Sequence, residues 1–222
     1  MTTKTDPPND ALKGKVIYFL ILVILNQFMY PITQQGGIFL ILYQFLYASM
    51  FAAGIYIASD SRFHVVVTVS TALIYLGFGF WYALDPTDEW KILAAYVALV
   101  PFLAMVLMVL FRYIFLARTV THDVIYAAIS IYLLLGGIFV PIYGILESLW
   151  PGSLVDGAAP DAPIVWQQLI YFSYVSLTTA GYGDFLPVSW WARSIASAET
   201  VIGVLYLAIL MARLVGLFSQ KE

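Results

Sequence analysis

Apolar residues fall in six long blocks, 15–31, 38–58, 63–84, 92–116, 123–147 and 190–217, separated by brief polar breaks. A helix needs roughly 20 apolar residues to cross about 30 Å of hydrocarbon, so the pattern predicts six transmembrane helices. The breaks "PITQQGG", "SDSR", "DPTDE" and "TVTH" are too short to hold a folded soluble domain. One connection is longer, residues 148–163, "SLWPGSLVDGAAPDAP", rich in Gly, Pro and Asp. Behind it comes "IVWQQLIYFSYVSL", residues 164–177, apolar but too short to span, and then "TTAGYGD". That order predicts a re-entrant half-helix and a non-helical strand between the fifth and sixth crossings. Pro163 suits the first position of such a helix, with Asp161 near the positive end of its dipole. Irregular backbone at membrane depth is tolerated only where protein buries it or where it lines water. The expected fold class is an all-α membrane protein without internal repeats.

Composition supports the same picture. The chain is 62% hydrophobic and only 10% charged, whereas a soluble domain is roughly 25% charged. The net charge of −3 hides an asymmetry. With a cytoplasmic N-terminus, the inner side carries Lys4, Lys13, Lys15, Arg62, Arg112, Arg118, Arg213 and Lys221, and only Lys91 and Arg193 fall outside. The outer side collects Asp85, Asp88, Glu89, Glu147, Asp156, Asp161 and Asp184. This is a positive-inside pattern, and six crossings put both termini in the cytoplasm. The first block follows Lys13 and Lys15 with no small-residue cleavage site, so a retained span is expected rather than a signal peptide. Residues 1–14, polar and carrying Pro7 and Pro8, are expected to be a short disordered cytoplasmic start. Cysteine is absent, which excludes a disulfide framework and a thiolate metal site.

The chemistry concentrates in residues 178–184. A pore that strips water from a cation must replace the lost oxygens with its own. Backbone carbonyls can do so if successive ones point inward, which an ordinary strand forbids. Glycine visits left-handed conformations at little cost, so Gly181 and Gly183 at alternating positions let the carbonyls line up. Thr179 adds a hydroxyl at the inner end and Asp184 a carboxylate at the outer mouth. The half-helix aims its partial negative end at the same axis, which also favours cations.

"TTAGYGD" resembles the selectivity filter of the potassium-channel family, whose signature runs Thr-Val-Gly-Tyr-Gly. The resemblance extends without gaps through "TTAGYGDFLPVSWWARSIASAETVIGVLYLAILMARLVGL" and covers about residues 164–217. It includes Pro187 after the filter, Arg193 at the top of the inner helix and Gly203 in its middle. By that resemblance Thr179, Ala180, Gly181 and Tyr182 supply K⁺ ligands, and Thr178, Gly183, Asp184 and Tyr171 support the filter and its outer mouth. Gly203 is the position associated with inner-helix bending. One filter per chain implies a homotetramer that conducts K⁺ passively across a plasma membrane. Its partners are then copies of itself, lipid and monovalent cations, with K⁺ as permeant ion and no cofactor. The implied division is a cytoplasmic start at 1–14, a four-helix domain at 15–120 resembling a voltage-sensor bundle, and a pore domain at 121–222.

Departures from the family pattern raise alternatives. Ala180 stands where valine is usual; either a bulky neighbour such as Tyr174 fills the space behind it, or selectivity or filter inactivation is altered. Tyr171 and Phe172 replace a tryptophan pair, and Tyr171 could donate to Asp184 or simply pack. Val175 stands where some relatives carry glutamate, so control through a buried carboxyl there is not expected. The fourth block carries Arg112 and Arg118 only, both at its cytoplasmic end, where they read as interface anchors. Steep voltage dependence takes three to four gating charges per subunit, so voltage sensing is not carried over.

Glu199, inside the last block, is a gating candidate by the cost of ionisable groups in membranes, or else a protonated or hydrogen-bonded tie to the half-helix. Gly203, Leu207 and Met211 are further gating candidates, with Val215 below them, although Leu207, Met211 and Val215 could equally pack. Asn26, Gln27 and Gln44 are expected to hydrogen-bond between helices, Pro101 to kink the fourth span, and His64 and His122 to sit at the interface. No Ser-His-Asp set, HExxH, Walker loop or dinucleotide fingerprint is present, and no basic patch suggests nucleic acid. The expectation is a channel and not an enzyme, with no gating domain beyond Leu217. Alternatives are a less selective monovalent cation channel and a non-conducting regulatory subunit.

Overall fold

A computed structural model describes residues 14–59, 61–85, 89–117 and 119–219. Apart from Gly14, the expected cytoplasmic start lies outside the described residues, as do Asp88, Arg118 and Lys221. Seven α-helices and two short strands follow in the order α1 Val16–Phe28, α2 Ile38–Ile57, α3 Arg62–Leu84, α4 Glu89–Leu116, α5 His122–Leu149, β1 Leu154–Asp156, α6 Trp166–Leu177, β2 Phe185–Pro187 and α7 Trp190–Ser219. A 3-10 helix, Tyr30–Gln35, joins α1 to α2.

Five of the helices, α2, α3, α4, α5 and α7, are long and apolar enough to cross a membrane. The first apolar block does not form one long helix. α1 has 13 residues, which at 1.5 Å each is about 20 Å. Pro31 explains the break, because it disfavours helical backbone at the residue before it, and the chain tightens into the 3-10 turn. α1 nevertheless runs beside α5. At one end Gly14 N–H donates to the Asp123 carboxylate at 3.1 and 3.2 Å. At the other, a Cβ on Gly137 would lie 2.7 Å from Gln27 Nε2. Beyond α1, Gln167 Nε2 of α6 donates to Thr33 Oγ1 at 3.1 Å.

Helices α2, α3 and α4 pack through aromatic rings. Phe51 and Phe102 meet edge-to-face at 4.4 Å, and Tyr47 and Tyr75 lie 5.0 Å apart. Glycines bring neighbours close, as small residues do between membrane helices: Gly54 receives the Phe102 ring and Gly144 of α5 the Tyr96 ring of α4. Asn26 Nδ2 bridges α1 to α2, donating to Leu46 O at 3.2 Å, whereas Gln44 Oε1 has no hydrogen-bond partner among the described residues. α4 runs without interruption through Pro101.

Between α5 and α7 the connection is folded. β1 pairs antiparallel with β2, Leu154 opposite Pro187 and Asp156 opposite Phe185. The pairing buries Leu154 and Phe185 against Leu169, Phe172 and Ala192. Glu147 organises the turn before β1 by accepting from Gly152 N at 2.6 Å and Leu154 N at 3.0 Å. α7 is the least covered helix: 11% of its apolar window is buried, against 61% for α5.

Candidate functional site

The site is built around α6. This helix begins at Trp166, three residues after Pro163, which therefore does not occupy its first position. Gln168 Oε1 instead accepts from Val165 N at 2.9 Å, while its Nε2 donates to Asp156 at 2.7 Å. The acid linked to the start of the helix is thus Asp156 and not Asp161. Tyr174 anchors α6 to α5: its hydroxyl donates to Leu133 O at 2.8 Å and its ring lies against Gly136. Phe172 packs 4.9 Å from Tyr143 and 5.3 Å from Phe185, ring to ring.

At its C-terminus α6 has carbonyls without helical partners, and the segment that follows uses them. Thr179 N donates to Ser176 O at 3.0 Å, and Ala180 N to Val175 O at 3.0 Å. The Thr178 hydroxyl turns back to Tyr174 O at 2.6 Å. The chain therefore reverses tightly instead of continuing away. Positive φ then recurs at every second residue: Thr179 at 61°, Gly181 at 54° and Gly183 at 78°, with Ala180 and Tyr182 between them in the ordinary region. An extended strand points successive carbonyls to opposite sides. Alternating the sign of φ permits them to share one side. Thr179 is the one non-glycine residue with positive φ among the described residues, a conformation costing roughly 1–2 kcal/mol for a residue with a Cβ. All of residues 178–184 are exposed, Tyr182 by 72%.

Asp184 ends the segment with both carboxylate oxygens engaged. Tyr171 donates its hydroxyl to Oδ2 at 2.5 Å, and Phe185 N donates to Oδ1 at 3.0 Å. Gly157 N donates to the Asp184 carbonyl at 2.7 Å, tying the segment to the β1 turn. The bond to Asp184, with a smaller effect of burial, pushes the Tyr171 phenol up to about 12. The Tyr171 and Tyr182 rings stack at 6.4 Å. Arg193 Nε donates to Pro187 O at 3.2 Å, and its guanidinium sits over the Trp190 ring.

Along α7 the gating candidates divide between two faces. Glu199 and Gly203 face protein and are buried. Leu207, Met211 and Val215 are exposed by 45%, 59% and 62%. Glu199 accepts from the Tyr143 hydroxyl at 2.6 Å and contacts Ser173 Oγ at 2.5 Å. Thr200 Oγ1 donates to Ser176 O at 3.1 Å. α7 passes Gly203 as continuous helix, and a Cβ there would strike the carbonyl oxygen of Leu177.

Tyr143, Ser173, Thr200 and the β1–β2 pair escaped the sequence reading, because each acts through a partner many positions away. Arg213, read only as a positive-inside charge, spans α7 to α4, donating to Ile114 O, Phe115 O and Ala117 O at 2.6–3.4 Å. Residues 127–220, from within α5 past the end of α7, match the ion channel family model, which supports ion channel activity for this membrane protein.

Proposed function

We propose that the protein is a potassium-selective channel in which four copies of residues 178–184 surround one axis. The observation that carries this reading is the alternating φ at Thr179, Gly181 and Gly183 in an exposed segment delivered by a short helix. Thr179, Ala180, Gly181 and Tyr182 then offer carbonyl oxygens, and Thr179 its hydroxyl, in place of the hydration shell of K⁺. Thr178, Gly183, Asp184 and Tyr171 hold that segment and its outer mouth. Conduction is passive and needs no cofactor. The six-crossing topology with both termini cytoplasmic, in a plasma membrane, belongs to the same proposal. α1 supports it by running beside α5 from Asp123 to Gly137.

The test is an efflux assay on proteoliposomes loaded with K⁺ or Na⁺. Potassium loss from vesicles containing the protein, with sodium retained, is the expected result. Equal loss of both ions favours the second reading, a less selective cation channel, for which the specific observation is Ala180. Ala180→Val should then restore discrimination. Loss of neither ion favours a non-conducting subunit.

A further inference from the structure

Glu199 is fully buried in a membrane-spanning helix. Among the described residues no cation pairs with it, the one ion pair being Lys91 with Asp85. Its hydrogen-bond partners among the described residues are two hydroxyls. Tyr143 of α5 donates to Oε2 at 2.6 Å. Ser173 of α6 places its Oγ 2.5 Å from Oε1 and, on its other side, 2.7 Å from the carbonyl oxygen of Gly136. A carbonyl can only accept and a serine hydroxyl has a single proton. If that proton points at Oε1, two oxygen lone pairs face each other across 2.7 Å at Gly136. If it points at Gly136, the shorter contact to Oε1 needs a proton from somewhere else. The carboxyl group is the one available source.

We propose that Glu199 is held as a neutral carboxylic acid that donates to Ser173, and that it is a positioning residue for residues 178–184. The relay runs from Glu199 to Ser173 to the Gly136 carbonyl, while the Tyr143 phenol donates to the acid's other oxygen. The titratable groups facing it are Tyr143 from α5 and Tyr174 from α6. Two further contacts of α7 extend the same seam. Thr200 holds Ser176 O, and Gly203 abuts Leu177 O. Residues 199, 200 and 203 thus grip 173, 176 and 177, directly ahead of Thr178 and Thr179. A neutral acid makes this join without the cost of an unpaired charge within the membrane.

The protonation state rests on geometry alone, whereas the positioning role rests on the channel reading, and two measurements separate them. Infrared spectra of the purified full-length protein at neutral pH should contain a protonated carboxylic acid carbonyl stretch. It should vanish in Glu199→Gln and shift in Tyr143→Phe. A wild-type spectrum without it overturns the proposal. In bilayer recordings Glu199→Leu should move the reversal potential toward zero or abolish current. Glu199→Gln keeps an N–H donor and a carbonyl acceptor and should rescue the wild-type value. A glutamine variant as impaired as the leucine variant would overturn the positioning role. A wild type that fails to select K⁺ would instead count against the channel reading, with the infrared result still standing for Glu199.

Discussion

Gly203 lies where α7 presses on the last turn of α6, with the Leu177 side chain 3.1 Å from any added Cβ and its carbonyl closer still. Overpacking of this kind costs typically 1–3 kcal/mol, so Gly203→Ala should lower the melting temperature and reduce channel current. Gly216, on the same helix, meets nothing within 4 Å among the described residues. Gly216→Ala should therefore be neutral or stabilising, since alanine favours helix by about 1 kcal/mol over glycine. Equal effects at the two glycines would contradict the close-contact reading. Tyr171 gives a second test. A phenol normally titrates near about 10, and here its bond to Asp184 raises it to about 12. The bond's contribution is therefore fully present below about pH 10 and is lost as pH rises through about 12. Subtracting the tyrosinate absorbance titration of Tyr171→Phe from that of wild type isolates this one phenol. A midpoint near the unperturbed value would mean that the bond is absent in solution. At this scale the glycines at 181 and 183 were legible in the sequence, because positive φ is cheap for glycine alone. Thr179 was not legible as the third member, since a β-branched residue carries no local sign of that conformation and is held there by its own N–H on Ser176 O and by the N–H of Ala180 on Val175 O.

Five long helices were legible from the length of their apolar blocks, and α6 from an apolar run too short to cross. The early end of α1 was missed because hydropathy continues through Met29 and Tyr30 while Pro31 alters the backbone. The β1–β2 pair was invisible because two three-residue strands some 30 positions apart leave no periodic signal. Arg213 shows what such long-range partners can do. Its guanidinium donates to the carbonyls of Ile114 and Phe115 at the end of α4 and of Ala117 just past it, and lies at the negative end of that helix's dipole. Arg213→Gln, which cannot span three carbonyls, should cost about 1–3 kcal/mol of stability. It should also change open probability while leaving ion selectivity intact, because the link joins α4 to α7 far from residues 178–184. Arg112→Gln, at an exposed position, should change stability by less than about 0.5 kcal/mol. An Arg213 variant indistinguishable from the Arg112 variant would remove the basis for mechanical coupling between α4 and α7.

On the scale of the whole molecule, the coverage of the helices is uneven. α5 is enclosed by α1, α4, α6 and α7, whereas α7 and the segment before it stand open. Lipid can cover apolar side chains, but it cannot satisfy the exposed polar backbone of residues 178–184. Further copies of the chain are the natural cover, and native mass spectrometry of the detergent-solubilised protein should find tetramers. A conducting monomer or dimer would contradict that arrangement. The most direct measurement is the reversal potential of the purified protein in a planar bilayer, with K⁺ on one side and Na⁺ on the other. A value close to that for K⁺ permeation alone is expected if the alternating backbone from Thr179 to Gly183 selects K⁺. A value near zero would contradict K⁺ selectivity.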